Sequence, residues 1–248
     1  MKSIFLSCIL GLCLTQFSVS QIHTKNTTTQ WLGWYHLEGV LELSPKWQTI
    51  LELEDRRFQY VSNEHQYFSR FQLNYKLTKV LSAGVGFAYF GQEADSLRSF
   101  DDPLGTEFRP HLQLSFEKEN NRHSWLFRLQ LEERFLRDIT ATEIDNTYSL
   151  TFRLRLRPEW QFALIKREKD DASLVDFTVY DELMIQAGNE ANLFNQNRIY
   201  GGFNLYPSKS VTIEAGYLNA FQLRDSGDAY WSRHIFRLGF IFQWQLHP

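Results

Sequence analysis

From Gln30 onward, large apolar residues fall at every second position. Trp31 to Leu43 sets Tyr35, Leu37, Gly39, Leu41 and Leu43 against His36, Glu38, Val40 and Glu42. Trp47 to Phe58 repeats the pattern, with Leu51 and Leu53 against Glu52, Glu54 and Arg56. His65 to Leu77, Leu81 to Tyr89 and Thr106 to Phe116 continue it. So do Trp125 to Phe135, Tyr148 to Leu164, Val175 to Ala187, Asn197 to Tyr206 and Val211 to Phe221. The last segment, Arg233 to Leu246, carries Phe236, Leu238, Phe240, Phe242, Trp244 and Leu246 on one face. Its other face is Arg237, Gly239, Gln243 and Gln245, with Ile235 and Ile241 as exceptions. A period of two puts each set on one face of a β-strand.

Eleven such segments, each long enough to cross a bilayer at a tilt, predict an all-β fold, a transmembrane antiparallel up-and-down barrel. Short turns near Pro45, Lys79, Asn120, Lys169 and Ser208 alternate with longer loops near Asn63, Asp95, Thr140, Gly188 and Ser226. Single-chain bacterial barrels have even strand numbers. The expectation is therefore twelve strands, ten as the fallback, the missing one hidden in Ile22 to Thr29 or Trp160 to Ile165. Pro110 needs an edge-like position or a bulge, and Pro158 a kink. The competing architecture is a soluble sandwich, but a sandwich does not need a strongly aromatic outer face on every strand.

Composition fits this pattern. Aromatics are 16% of residues, while mean hydropathy is −0.37, as alternating lipid-facing and lumen-facing positions require. Met1 to Ser20 reads as a signal peptide: Lys2, the apolar run Ile4 to Leu14, and Ser18-Val19-Ser20 as the cleavage site. Residues 21–248 are then the barrel, exported to the outer membrane of a Gram-negative cell. Both cysteines lie in that peptide, and Leu12 before Cys13 argues against a lipoprotein site. The mature chain therefore has neither disulfide nor thiolate ligand. Net charge is −3, so no nucleic-acid footprint is visible.

The chain also resembles a family of outer-membrane barrels known as domain of unknown function 2490. The likeness rests on Trp31 to Trp47, Glu54-Asp55-Arg56-Arg57 and Leu154 to Pro158. It continues in Tyr180 to Leu183, Asn195 to Gly202 and Glu214 to Tyr217. That resemblance implies fold and location, and supplies no catalytic residues. In the last strand, Arg237, Gly239, Phe242 and Trp244 resemble the signal read by the barrel-insertion machinery.

Candidate lumen-lining residues are Glu38, Glu52, Glu54, Glu132, Glu182 and Glu214, with Arg56, Arg70, Arg109, Arg128, Arg153, Arg155, Arg157, Arg198 and Arg237. Charges removed from bulk water need partners, so a lattice of ion pairs is the first expectation. Arg153, Arg155 and Arg157 lining a path for small anionic solutes is the second. Glu132 and Glu182, on the flanking strands, are the acids expected to hold those arginines. The remaining partners expected are outer-membrane lipid and no second copy, the barrel being a monomer.

The rival class is a lipid hydrolase with a site at the membrane rim. The histidines are scattered and no G-x-S-x-G occurs. His234 and Ser232 lie close in sequence, but alternation is expected to part them onto opposite faces. No histidine–carboxylate set at ligand spacing is visible, so no metal site and no cofactor are expected. The reading is a non-enzymatic barrel, structural or a narrow channel.

Overall fold

Alternation of this kind leaves each strand with one apolar and one polar face, and a closed sheet turns the first outward and the second inward. The computed structural model describes residues 26–60, 63–92, 105–139, 144–188, 193–224 and 227–247. Eleven strands follow in chain order: β1 (Asn26–Glu42), β2 (Trp47–Phe58), β3 (Asn63–Lys76), β4 (Leu81–Gln92), β5 (Gly105–Asn120) and β6 (His123–Ile139). They continue as β7 (Ile144–Lys166), β8 (Ser173–Gly188), β9 (Phe194–Ser208), β10 (Val211–Leu223) and β11 (Ala229–Gln245). Each pairs antiparallel with its chain neighbour, and β1 and β11 close the barrel.

That closure corrects two expectations. Among the described residues the strands number eleven, not twelve or ten, and β1 runs parallel to β11 from Asn26↔Ala229 to Glu42↔Gln245. The segments expected to hide a further strand extend existing ones instead. Asn26 to Thr29 opens β1, opposite Ala229 to Ser232, and Trp160 to Ile165 is the far end of β7. Ile22 to Lys25 and the signal peptide lie outside the described residues.

Both prolines sit at gaps in the ladder. Pro110 pairs with Phe87 of β4, while toward β6 the pairing lapses between Phe108↔Phe135 and His111↔Glu132. Pro158 likewise pairs with Phe127 and faces a lapse between Leu156↔Leu183 and Glu159↔Tyr180. A residue with no N–H is accommodated where no ladder bond is made.

The short turns gather at one end, here the turn end. Ser44 Oγ accepts from Trp47 N at 3.1 Å, and Thr78 Oγ1 accepts from Leu81 N at 3.0 Å, closing the first two. Asn121 turns β5 into β6 at φ 50°, a region asparagine tolerates. Most of the loop from Gly91 to Pro103, and parts of the others at the opposite end, lie outside the described residues.

Outside, the apolar residues of every strand are exposed, from Leu51 and Val85 to Leu112 and Phe203. Rings collect near both rims. Trp47 and Tyr75 lie 4.7 Å apart and Trp125 and Trp160 6.1 Å apart at the turn end. Trp31 stacks on His234 at 4.4 Å toward the loop end. Of the residues matching the insertion signal, Phe242 and Trp244 stack outside at 5.9 Å, while Arg237 points inward to Glu214.

Candidate functional site in the barrel lumen

The inward face of each strand delivers charge to the middle of the barrel. Inner positions of adjacent strands fall in register, so Arg153 stands opposite Glu132 and Arg198 opposite Glu182. Every arginine named from the sequence has a carboxylate within reach. Arg153 Nε donates to Glu132 at 2.7 Å and Arg155 Nη1 donates to the same acid at 2.8 Å. Arg155 also donates to Glu182 at 2.7 Å, where Arg128 arrives at 2.8 Å and Arg198 stands at 3.6 Å. Glu182 thus gathers cations from β6, β7 and β9 and is almost fully buried.

Arg157, the third member of the expected ladder, turns along its own strand to Glu159 and lies 3.9 Å from the centre of the Tyr180 ring. Arg109 pairs with Glu107, as does Arg134, whose Nε is 2.6 Å from that acid. On the opposite wall Arg56 Nε donates to Glu54 at 2.7 Å, Arg70 pairs with Glu52, and Arg237 reaches Glu214 at 3.4 Å. Stacking adds to the hold on two guanidiniums: Arg56 lies 4.0 Å from the Trp34 ring centre and Arg109 3.5 Å from that of Phe90. Glu38 contacts His36 at 3.5 Å.

Beside this lattice is an apolar patch that the alternation signal missed. Leu32, Trp34, Tyr180, Tyr200, Leu218, Ala220 and Ile235 pack together inside the barrel. Ile235 breaks the polar face of β11 because its neighbours across the seam and ladder, Leu32 and Leu218, are apolar too. Tyr200 lies across Gly202 and Gly216, where any β-carbon would collide with its ring.

What stays open is a cavity of about 360 Å³. Gln48, Asn74, Ser82, Ser115 and Glu117 line it close to the turn end, and Arg56, Arg109 and Arg153 line it deeper in. The deeper residues belong to the ion-pair lattice, so the cavity is floored by groups already engaged. Chemically, the lumen offers a polar recess of amide, hydroxyl and carboxylate groups that ends on cross-linked charge.

Two sequence readings need correction. Ser232 and His234 are two residues apart and share the outward face of β11, so they are not parted. His234 contacts the Tyr217 hydroxyl at 2.5 Å through Nδ1 and stacks on Trp31, the setting of an amphipathic rim residue. A histidine–carboxylate set also exists: His36, Glu38 and Glu52 bring ligand atoms within 4.8 Å of one another. It escaped notice because Glu52 comes from the next strand, and only register brings it beside His36.

No curated protein matches the sequence at a significant level. Among solved structures, a NanC porin is similar, with a TM-score of 0.52 and 12% sequence identity. The match covers 85% of this chain and 97% of the porin chain, and at that identity it speaks to the fold alone. The barrel architecture is thus porin-like. A family model, described as protein of unknown function (DUF2490), matches residues 31–230, and the chain belongs to that family.

Proposed function

We propose that this chain is an integral outer-membrane β-barrel, exported by the Met1 to Ser20 signal peptide, with its turn end toward the periplasm. Its apolar exterior with rings at both rims supports membrane placement. Outer-membrane lipid is then its solvent, and Arg237, Gly239, Phe242 and Trp244 present the last strand to the insertion machinery. Its role is non-enzymatic: a structural barrel or a narrow solute channel, acting as a monomer.

The observation that carries the reading is the state of the inner arginines. A path for anions needs guanidiniums free to exchange partners, whereas Arg153, Arg155 and Arg198 are tied to Glu132 and Glu182. The lattice therefore narrows the lumen and neutralises it. Reconstituted in planar bilayers, the protein should show conductance near the baseline. A large, steady, anion-preferring conductance would overturn the plugged reading in favour of an open channel.

A further inference from the structure

On the wall where β1 meets β2, the lattice leaves a nitrogen without a hydrogen bond. His36 is 4% exposed, and its Nδ1 is buried without a hydrogen-bond partner. That nitrogen points between two acids, with Glu52 Oε1 at 3.3 Å and Glu54 Oε1 at 3.4 Å. Glu38, the next inward residue of β1, brings Oε2 to 3.5 Å from the other ring nitrogen.

These spacings are wide for direct bonding. A charge-assisted bond from imidazolium to carboxylate closes to about 2.7–2.9 Å. Donors bound at about 2.0–2.2 Å around a tetrahedral ion stand roughly 3.3–3.5 Å apart. The two distances from Nδ1 match the second case.

The neighbouring guanidiniums strengthen the comparison. Arg56 Nε holds Glu54 through Oε2 at 2.7 Å, and Arg70 pairs with Glu52 through Oε2. Each grips the oxygen turned away from His36 and leaves Oε1 facing the ring, that of Glu54 with Arg237 Nη2 3.7 Å away. Ligating carboxylates are oriented by outer partners in this way. Three guanidiniums on this wall, Arg56, Arg70 and Arg237, face four acids, Glu38, Glu52, Glu54 and Glu214, so one further cation at His36, a proton or a metal ion, completes the balance. Finally, His36, Glu38, Glu52 and Glu54 all line the turn-side cavity, which gives an ion a way in.

We propose that His36, through Nδ1, and Glu52 and Glu54 bind a divalent transition-metal cation such as zinc, while Glu38 at the cavity edge faces Nε2 and orients the ring. The ion would tie β1 to β2 beside the seam that closes the barrel.

The test uses the full chain purified in detergent, stripped with a chelator and dialysed against Zn²⁺, with metal content and affinity measured. Uptake of one ion per chain is expected, and His36→Gln or Glu38→Gln should weaken it by about tenfold or more. Glu38 is only partly buried, so its variant keeps the test alive if the histidine change impairs folding. Glu117→Gln, in the same cavity but on β5, should leave affinity unchanged. Failure of the wild type to retain Zn²⁺, as when a protonated His36 alone bridges the acids, overturns the proposal. Equal weakening by Glu117→Gln overturns it too, because the cavity would then be attracting counter-ions diffusely.

Discussion

Glu182 sits among three guanidiniums, from Arg128, Arg155 and Arg198, and is almost fully buried. Removing its charge strands buried cations, the change that costs most in a paired interior. Glu182→Gln should therefore destabilise the barrel by about 3–5 kcal/mol. Glu159→Gln, which frees Arg157 toward the polar cavity, should cost clearly less. Urea titration of the two variants in lipid vesicles checks the difference; equal losses would mean that Glu182 does not anchor the lattice. Much of this lattice was legible in advance, since inner positions follow from a period of two, and consecutive strands put Glu132 beside Arg153. Arg157 was not, because its acid lies two residues along the same strand rather than across the ladder. The His36 set was illegible for a related reason: it needs the register of β1 on β2, which no spacing within either strand encodes.

At the scale of one element, β11 tests the proposed division between a lipid-facing and a lumen-facing side. Leu238 and Phe240 face outward near the middle of the strand, and Phe240 remains exposed in the isolated chain. Leu238→Arg should cost about 2–4 kcal/mol if it lies near the bilayer midplane. Gln243→Arg, on the inward face near the turn end, should cost much less. Refolding yield and unfolding midpoint in vesicles measure both, and equal tolerance would reverse the assignment of faces. Strand positions were readable because alternation is a local signal. Ile235 shows its limit: an apolar residue on the polar face looked like noise, yet it is fully buried against Leu32 and Leu218. Strand number failed differently. Asn26 to Thr29 and Trp160 to Ile165 have strand character, but nothing local says whether a segment starts a new strand or prolongs one.

For the whole molecule, the segregation of short turns to one end gives the proposed membrane placement an orientation to test. If the turn end faces the periplasm, a cysteine at Leu193, beyond β8 toward the loop end, should label on intact cells. Cysteines at Lys169 and Lys209, in the turns after β7 and β9, should label only after lysis. Labelling of all three only after lysis would reject the placement. The parallel seam has a further effect, on which cut-and-rejoin versions of this fold can exist. Because β1 and β11 run side by side in one direction, Asn26 lies at one rim and Gln245 at the other. In an all-antiparallel barrel the two ends meet at the same rim, and a short linker joins them. Here a linker would have to run the full height of the wall. Through the lumen it meets packed side chains; along the exterior it carries unbonded peptide groups into lipid. Circular permutants opened at the Lys209 turn should therefore fail to assemble with short or long linkers alike. Opening that turn without rejoining the ends, and supplying the two pieces together, should still give the barrel.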